Sequence, residues 1–66
     1  MDLCVNGEKL QLPDGSTIAA LLDHFKLHPI RVAVELNRDI VPKKAYVDTR
    51  LKTGDTVEIV TFVGGG

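Results

Sequence analysis

The stretch Ser16-Thr17-Ile18-Ala19-Ala20-Leu21-Leu22-Asp23-His24-Phe25 decides how this chain folds. Ile18, Leu21, Leu22 and Phe25 recur at i, i+3, i+4 and i+7, which places them on one apolar stripe of a helix. Ser16 or Thr17 supplies the cap, a side-chain oxygen that accepts a hydrogen bond from a free N–H of the first turn. Pro29 cannot continue the helix, so the helix is expected to end near Lys26 or Leu27. A helix of about ten residues is marginal alone in water. It has to lay its stripe on another element, and the residues on both sides supply a sheet.

Upstream, Met1, Leu3 and Val5 alternate with Asp2, Cys4 and Asn6, the period of a half-buried strand. Asn6-Gly7 suits a type I′ hairpin turn, whose two central residues both need positive φ. Leu10 and Leu12 give the return strand its apolar face, and Pro13-Asp14-Gly15 is turn chemistry that ends it. Downstream, Arg31-Val32-Ala33-Val34-Glu35-Leu36 reads as a third strand with Val32, Val34 and Leu36 inward. Asn37-Arg38 turns it into Asp39-Ile40-Val41, a short strand stopped by Pro42. Proline suits an edge strand, and Lys43-Lys44 beside it discourages edge-to-edge pairing. After a turn at Lys52-Thr53-Gly54-Asp55, Thr56 to Phe62 forms the last strand. Val57 and Ile59 are expected in the core, with Glu58, Val60 and Phe62 on the solvent face. The order strand, strand, helix, strand, short strand, strand makes an α+β domain over residues 1–63, one helix crossing one face of a mixed sheet.

Size and charge exclude several classes. The 66 residues suffice for one domain, and a chain this short struggles to enclose a pocket of roughly 300 Å³. Cys4 is the sole cysteine, so no internal disulfide can form, and a reducing cytoplasm is the expected setting. Eight basic against nine acidic residues give a net charge of -1, which argues against a nucleic-acid footprint. Met1-Asp2 lacks the positive start of a signal peptide, and no apolar run approaches the roughly 20 residues of a membrane helix.

Val63 leads into Gly64-Gly65-Gly66, which holds three of the six glycines. Glycine has no side chain to pack and loses the most entropy on ordering, so residues 64–66 offer nothing to a core. What they offer is a terminal carboxylate on a thin backbone. Four residues from Val63 span roughly 13 Å when extended, at about 3.3–3.6 Å each. The plain alternative is a frayed end or a leftover linker.

The element order resembles the ubiquitin-like β-grasp fold, and the details resemble the ThiS family, small sulfur carriers of thiamine biosynthesis. The matching residues are Asn6-Gly7, Thr17-Ile18 with Leu21-Leu22, Val32-Ala33-Val34-Glu35-Leu36-Asn37, Ile40-Val41-Pro42, Leu51 with Gly54-Asp55, Val57-Glu58-Ile59-Val60 and Phe62-Val63-Gly64-Gly65-Gly66. One departure is Arg38, where many relatives have a glycine, and it bears on the turn type. The resemblance implies that a ubiquitin-activating-like adenylyltransferase adenylates the Gly66 carboxylate with ATP. It further implies conversion to a thiocarboxylate by a sulfur donor such as a cysteine desulfurase persulfide, and transfer to thiazole synthase. On this reading the chain is a cosubstrate, not an enzyme, binds no cofactor itself and is a monomer when free. Gly64 and Gly65 thread into the partner's active site, and Val60, Phe62 and Val63 form the partner interface with Ala33 beside them. Alternatively, Phe62 tucks against the domain edge as core.

Related readings keep the fold and change the role. They are the small subunit of molybdopterin synthase or another sulfur carrier, a binding module never activated at its end, and a modifier conjugated to lysines. Molybdopterin synthase subunits are generally longer. Among other candidate sites, His24 and His28 have the i, i+4 spacing of zinc ligands, but Pro29 leaves His28 at the helix end and no third ligand follows, so no metal is expected. Cys4 is either a small packed residue or a thiol that meets a partner. Ser16 is the only serine and is accounted for as a cap, and Asp14, Asp23, Asp39, Asp48 and Asp55 fit turns and helix ends. No glycine-rich loop precedes a helix, so ATP is expected on the partner. Lys43, Lys44, Arg50 and Lys52 are solvated charges or an attraction for an acidic partner surface.

Overall fold

The computed structural model describes residues 1–62. Strands β1 (Asp2–Val5) and β2 (Glu8–Gln11) form the first hairpin, helix α1 (Ile18–His24) follows, and β3 (Val32–Leu36) with β4 (Asp39–Val41) forms the second hairpin. β5 (Thr56–Thr61) comes last, and single 3-10 turns occupy Pro29–Arg31 and Lys43–Ala45. The strands make one mixed sheet in the order β2-β1-β5-β3-β4. β1 and β5 run parallel, and the other neighbours are antiparallel. The helix buries Ile18, Leu21 and Leu22 in one core with Leu3, Val5, Val34 and Val57 from the strands. This is the ubiquitin-like β-grasp arrangement that the element order implied. The expected boundary between residues 1–63 and the tail 64–66 lies outside the described residues.

Every free N–H of the first helical turn has a partner. Thr17 is the cap, its hydroxyl accepting from Ala20 N at 3.1 Å, while Ser16 donates its own hydroxyl to Pro13 O at 2.7 Å. Ile18 N and Ala19 N donate to Thr49 O and Tyr46 O, both at 3.0 Å, and Leu21 N donates to Thr17 O. The segment between β4 and β5 therefore closes the helix start with its backbone and fills the core beneath with Tyr46 and Leu51. Pattern does not mark either as core, since both sit in irregular chain.

Tyr46 is only 2% exposed, and burial raises its pKa above the usual 10.0, more than its backbone hydrogen bond with Val34 lowers it. A raised folded value means this contribution to stability is complete below pH about 10 and is lost as pH climbs through the folded pKa. Urea midpoints measured from pH 8 to 11 should fall at the alkaline end. Tyr46→Phe should remove that part of the fall.

The helix stops earlier than its apolar spacing suggested. Phe25 is the C-cap, Lys26 takes φ +58°, Lys26 N donates to Asp23 O, and Leu27 N donates to Leu22 O at 2.9 Å. These two bonds form a Schellman motif, which consumes the last carbonyls and turns the chain out of the helix. Phe25 consequently leaves the stripe and is 43% exposed. Lysine in the left-handed region costs about 1–2 kcal/mol, part of which glycine would return as unfolded-state entropy. Lys26→Gly is therefore expected to raise stability by about 0.5–1 kcal/mol, read from urea unfolding.

Candidate functional site at the end of the last strand

β5 is the central strand, and both hairpin turns grip it. Asn6 and Gly7 have φ of +50° and +81°, and Asn37 and Arg38 have +51° and +74°, so both turns keep the paired positive φ of type I′ despite Arg38. The first residue of each turn aims its carboxamide at β5. Asn6 Oδ1 accepts from Ile59 N at 2.7 Å, and Asn6 Nδ2 donates to Ile59 O at 3.2 Å, a side chain pairing as a strand would. Asn37 N donates to Thr56 O at 2.7 Å, and Asn37 Oδ1 accepts from Thr56 N at 2.9 Å. Asn37 Nδ2 also donates to the buried carboxylate of Asp55, whose other oxygen accepts from Lys52 N. β5 is thus fixed at its start by Asn37 and toward its end by Asn6.

The strand's two faces divide as the alternation implied. Val57 and Ile59 are buried, whereas Val60 is 59% exposed opposite Ala33. Glu58 faces Glu35 across the strand pair, and Glu35 faces Ile40, which is 77% exposed. Phe62, one residue past β5, is 54% exposed, so it is not core, and its N–H donates to Arg31 O at 2.8 Å. Lys43 Nζ donates to Val32 O at 2.7 Å and stands 5.6 Å from the centroid of the Phe62 ring. Val60, Phe62, Ala33 and Ile40 together leave an apolar area on the open face, at the root of the tail. Val63, Gly64, Gly65 and Gly66, the other residues assigned to the interface and reactive end, lie outside the described residues.

A model of the ThiS family matches residues 3–66, from the first strand through the terminal glycines. The chain belongs to the ThiS family. It is 40% identical over 65 residues to the sulfur carrier protein ThiS of Bacillus subtilis, covering 97% of this chain and 98% of that protein. The crystal structure of the thiamine biosynthesis protein ThiS from Geobacter metallireducens superposes with a TM-score of 0.84 at 35% identity, covering 100% of both chains. The chain is also 42% identical to a thiazole synthase of Paramagnetospirillum magneticum, over 100% of its own length but only 20% of that protein's.

In this ThiS-family chain the remaining candidates separate from the end of β5. His24 closes the helix with its ring edge-on to Phe25, centroids 5.0 Å apart, while His28 lies beyond it in extended backbone, so the two do not share a helical face. Among the described residues, no three histidine, cysteine or acidic side chains are gathered as a metal would need. Cys4 is half-buried on the open face, with Lys9 on one side and Thr56 on the other. It borders a surface groove of about 400 Å³ with Asp2 and Gln11, and a second groove of about 390 Å³ runs between Leu10, Phe25 and Leu27. Both grooves are open to solvent, and Phe25, past the end of the helix, forms a wall of the second. Among the described residues no helix is long and apolar enough to cross a membrane.

The side chains that pattern reading misses here are Asn6, Asn37 and Lys43. Asparagine at the first position of a type I′ turn signals its backbone conformation, though its carboxamide is also free to bond. Lys43 falls among the solvated charges by pattern, yet a lysine directly after the proline that ends an edge strand is placed to bond a carbonyl of the neighbouring strand, here Val32 O of β3.

Proposed function

We propose that this ThiS-family sulfur carrier of thiamine biosynthesis works through the carboxylate of Gly66. A carboxylate resists nucleophiles because its negative charge is delocalised. Attack of its oxygen on the α-phosphorus of ATP expels pyrophosphate and makes an acyl-adenylate, from which AMP leaves readily. The terminal sulfur of a persulfide then displaces AMP, and a thiol cleaves the resulting acyl disulfide, leaving a thiocarboxylate on Gly66. The observation that carries this reading is the run from the clamped central strand into Gly64-Gly65-Gly66 within a family match extending over residues 3–66.

The carrier is a cosubstrate and not a catalyst, and ATP is bound by a ubiquitin-activating-like adenylyltransferase. Gly64 and Gly65 thread into that enzyme's site, where the missing Cβ lets the backbone lie flat. Val60, Phe62 and Val63 form the docking surface, supported by the exposure of the first two. A cysteine desulfurase persulfide supplies the sulfur, and thiazole synthase consumes it. A stretch similar to this chain forms 20% of two proteins named thiazole synthase, which supports that consumer. The setting is cytoplasmic, where the thiocarboxylate is not oxidised to a disulfide.

Intact-mass spectrometry tests the reading, on protein incubated with an activating enzyme, ATP and a sulfur source. The expected result is a gain equal to exchanging one oxygen for one sulfur, located on Gly66. An unmodified terminus in the presence of a competent enzyme would overturn it and leave the open face as a binding surface without activation.

A further inference from the structure

Among the described residues, β5 has partners on both sides only as far as Ile59. Val5 pairs with Val57, and the Asn6 carboxamide covers Ile59. At Val60, Thr61 and Phe62 those partners come from one side: Ala33 opposite Val60, Val32 opposite Thr61, and Arg31 O accepting from Phe62 N. β3 is itself running out of partners there. Its last rung to β4 is Val34 with Val41; further on the register would pair Val32 with Lys43, but there the chain has left the strand for the turn over Lys43–Ala45. The edge of β3 at Val32 would stand open beside the root of the tail.

Lys43 closes it. As the first residue of the turn after Pro42, it reaches back so that its ammonium donates to Val32 O at 2.7 Å and lies 5.6 Å from the Phe62 ring centroid. One cation thus replaces the missing strand neighbour and holds an aromatic ring that is 54% exposed, immediately before Val63. A cation within about 6 Å of a ring centroid is attracted by the ring's negative face. A free exposed ring has several orientations, and association then bears the cost of ordering it.

We propose that Lys43 is a positioning residue for activation of the carrier: through Phe62 it presents a preformed docking element at the root of the tail. The inference rests on the function proposed above, and it concerns recognition, not the chemical step. Lys43 touches no reacting atom.

The test is adenylation by a ubiquitin-activating-like adenylyltransferase, followed as pyrophosphate release, with the full-length carrier varied as substrate. Lys43→Met keeps the length of the stem and removes the charge and the donor. It should raise the apparent KM for the carrier about fivefold, the scale of one exposed cation–ring contact, and leave kcat unchanged. Lys43→Arg, which still donates and still stacks on a ring, should restore the wild-type KM. Phe62→Leu, which removes the docking ring itself, should raise KM at least as much, and Lys43→Met added to Phe62→Leu should have no further effect. Additive effects would overturn the proposal in favour of direct contact between Lys43 and the enzyme, and an unchanged KM in Lys43→Met would overturn it outright. Upfield ring-current shifts of the Lys43 methylene protons, lost in Phe62→Leu, report the contact without any reaction, and their absence from the wild type would also overturn it. Failure of the proposed function looks different: the wild-type carrier itself would release no pyrophosphate.

Discussion

Valine in place of Gly66 is expected to cut adenylation by at least about a hundredfold, the loss that a displacement of about 1 Å imposes on a reacting group. The melting temperature should stay where it is. The reasons are separate. Among the described residues the twelve buried apolar side chains fall between Leu3 and Ile59, and Gly66 has no side chain that the core could lose. The proposed chemistry is demanding at the same point: on that reading the terminal carboxylate has to approach a phosphorus in line with its leaving group, and the carbonyl carbon must then be open to a sulfur nucleophile. A β-branched side chain on the last residue obstructs both approaches and restricts the backbone dihedrals available inside a narrow channel. Pyrophosphate release measured for the two proteins at matched concentration, with thermal unfolding followed by circular dichroism, checks both halves. A folded Gly66→Val carrier that is adenylated at the wild-type rate would mean that the enzyme does not act on the terminal residue.

The proposed function gives the hold on β5 a mechanical logic. On the proposed function an enzyme reaches Gly66 by way of the strand before it, so how that strand is held matters. β5 is the central strand of the sheet, its start tied by the Asn37 backbone and carboxamide and its later part by the Asn6 carboxamide. The held strand ends at Thr61, five residues before Gly66, and on the proposed function docking is carried by the open face of the same strand.

Much of this is legible in the residues alone. Alternation at Leu3 and Val5, and again at Val57 and Ile59, assigns β1 and β5 and their buried faces, and it puts Val60 and Phe62 outward. Asn6-Gly7 announces a turn that needs two positive φ values, and Asn37-Arg38 makes the same turn without a glycine. Other parts carry no periodic signal. Tyr46 and Leu51 are core residues in irregular chain, placed by backbone bonds to the helix start that no spacing rule describes. The helix end is hidden because its left-handed residue is Lys26, where a glycine would have marked the stop. The roles of Asn6, Asn37 and Lys43 depend on side-chain atoms meeting β3 or β5 across the sheet, a relation that emerges only once strand order is known.

The helix end also yields the sharpest test of the fold. Leu21 and Phe25 are equivalent by spacing, four residues apart on the same stripe, yet Leu21 is fully buried and Phe25 is 43% exposed. Leu21→Ala removes three carbons from a site closed by the sheet, where deletions of this kind cost about 2–5 kcal/mol. A domain of this size has a core worth about 3–5 kcal/mol in all. The variant should therefore be largely unfolded at 25 °C, with collapsed amide dispersion in a proton–nitrogen correlation spectrum and no cooperative urea transition. α1 cannot survive alone to soften the result, since seven residues fall short of the roughly 12–15 that an isolated helix needs. Phe25→Ala removes a larger side chain but from the wall of an open groove, and it should cost less than about 1.5 kcal/mol, the low end of burying such a side chain. A loss at Phe25 as large as that at Leu21 would mean that the apolar stripe continues into the core past His24, and that the chain does not leave the helix at Lys26.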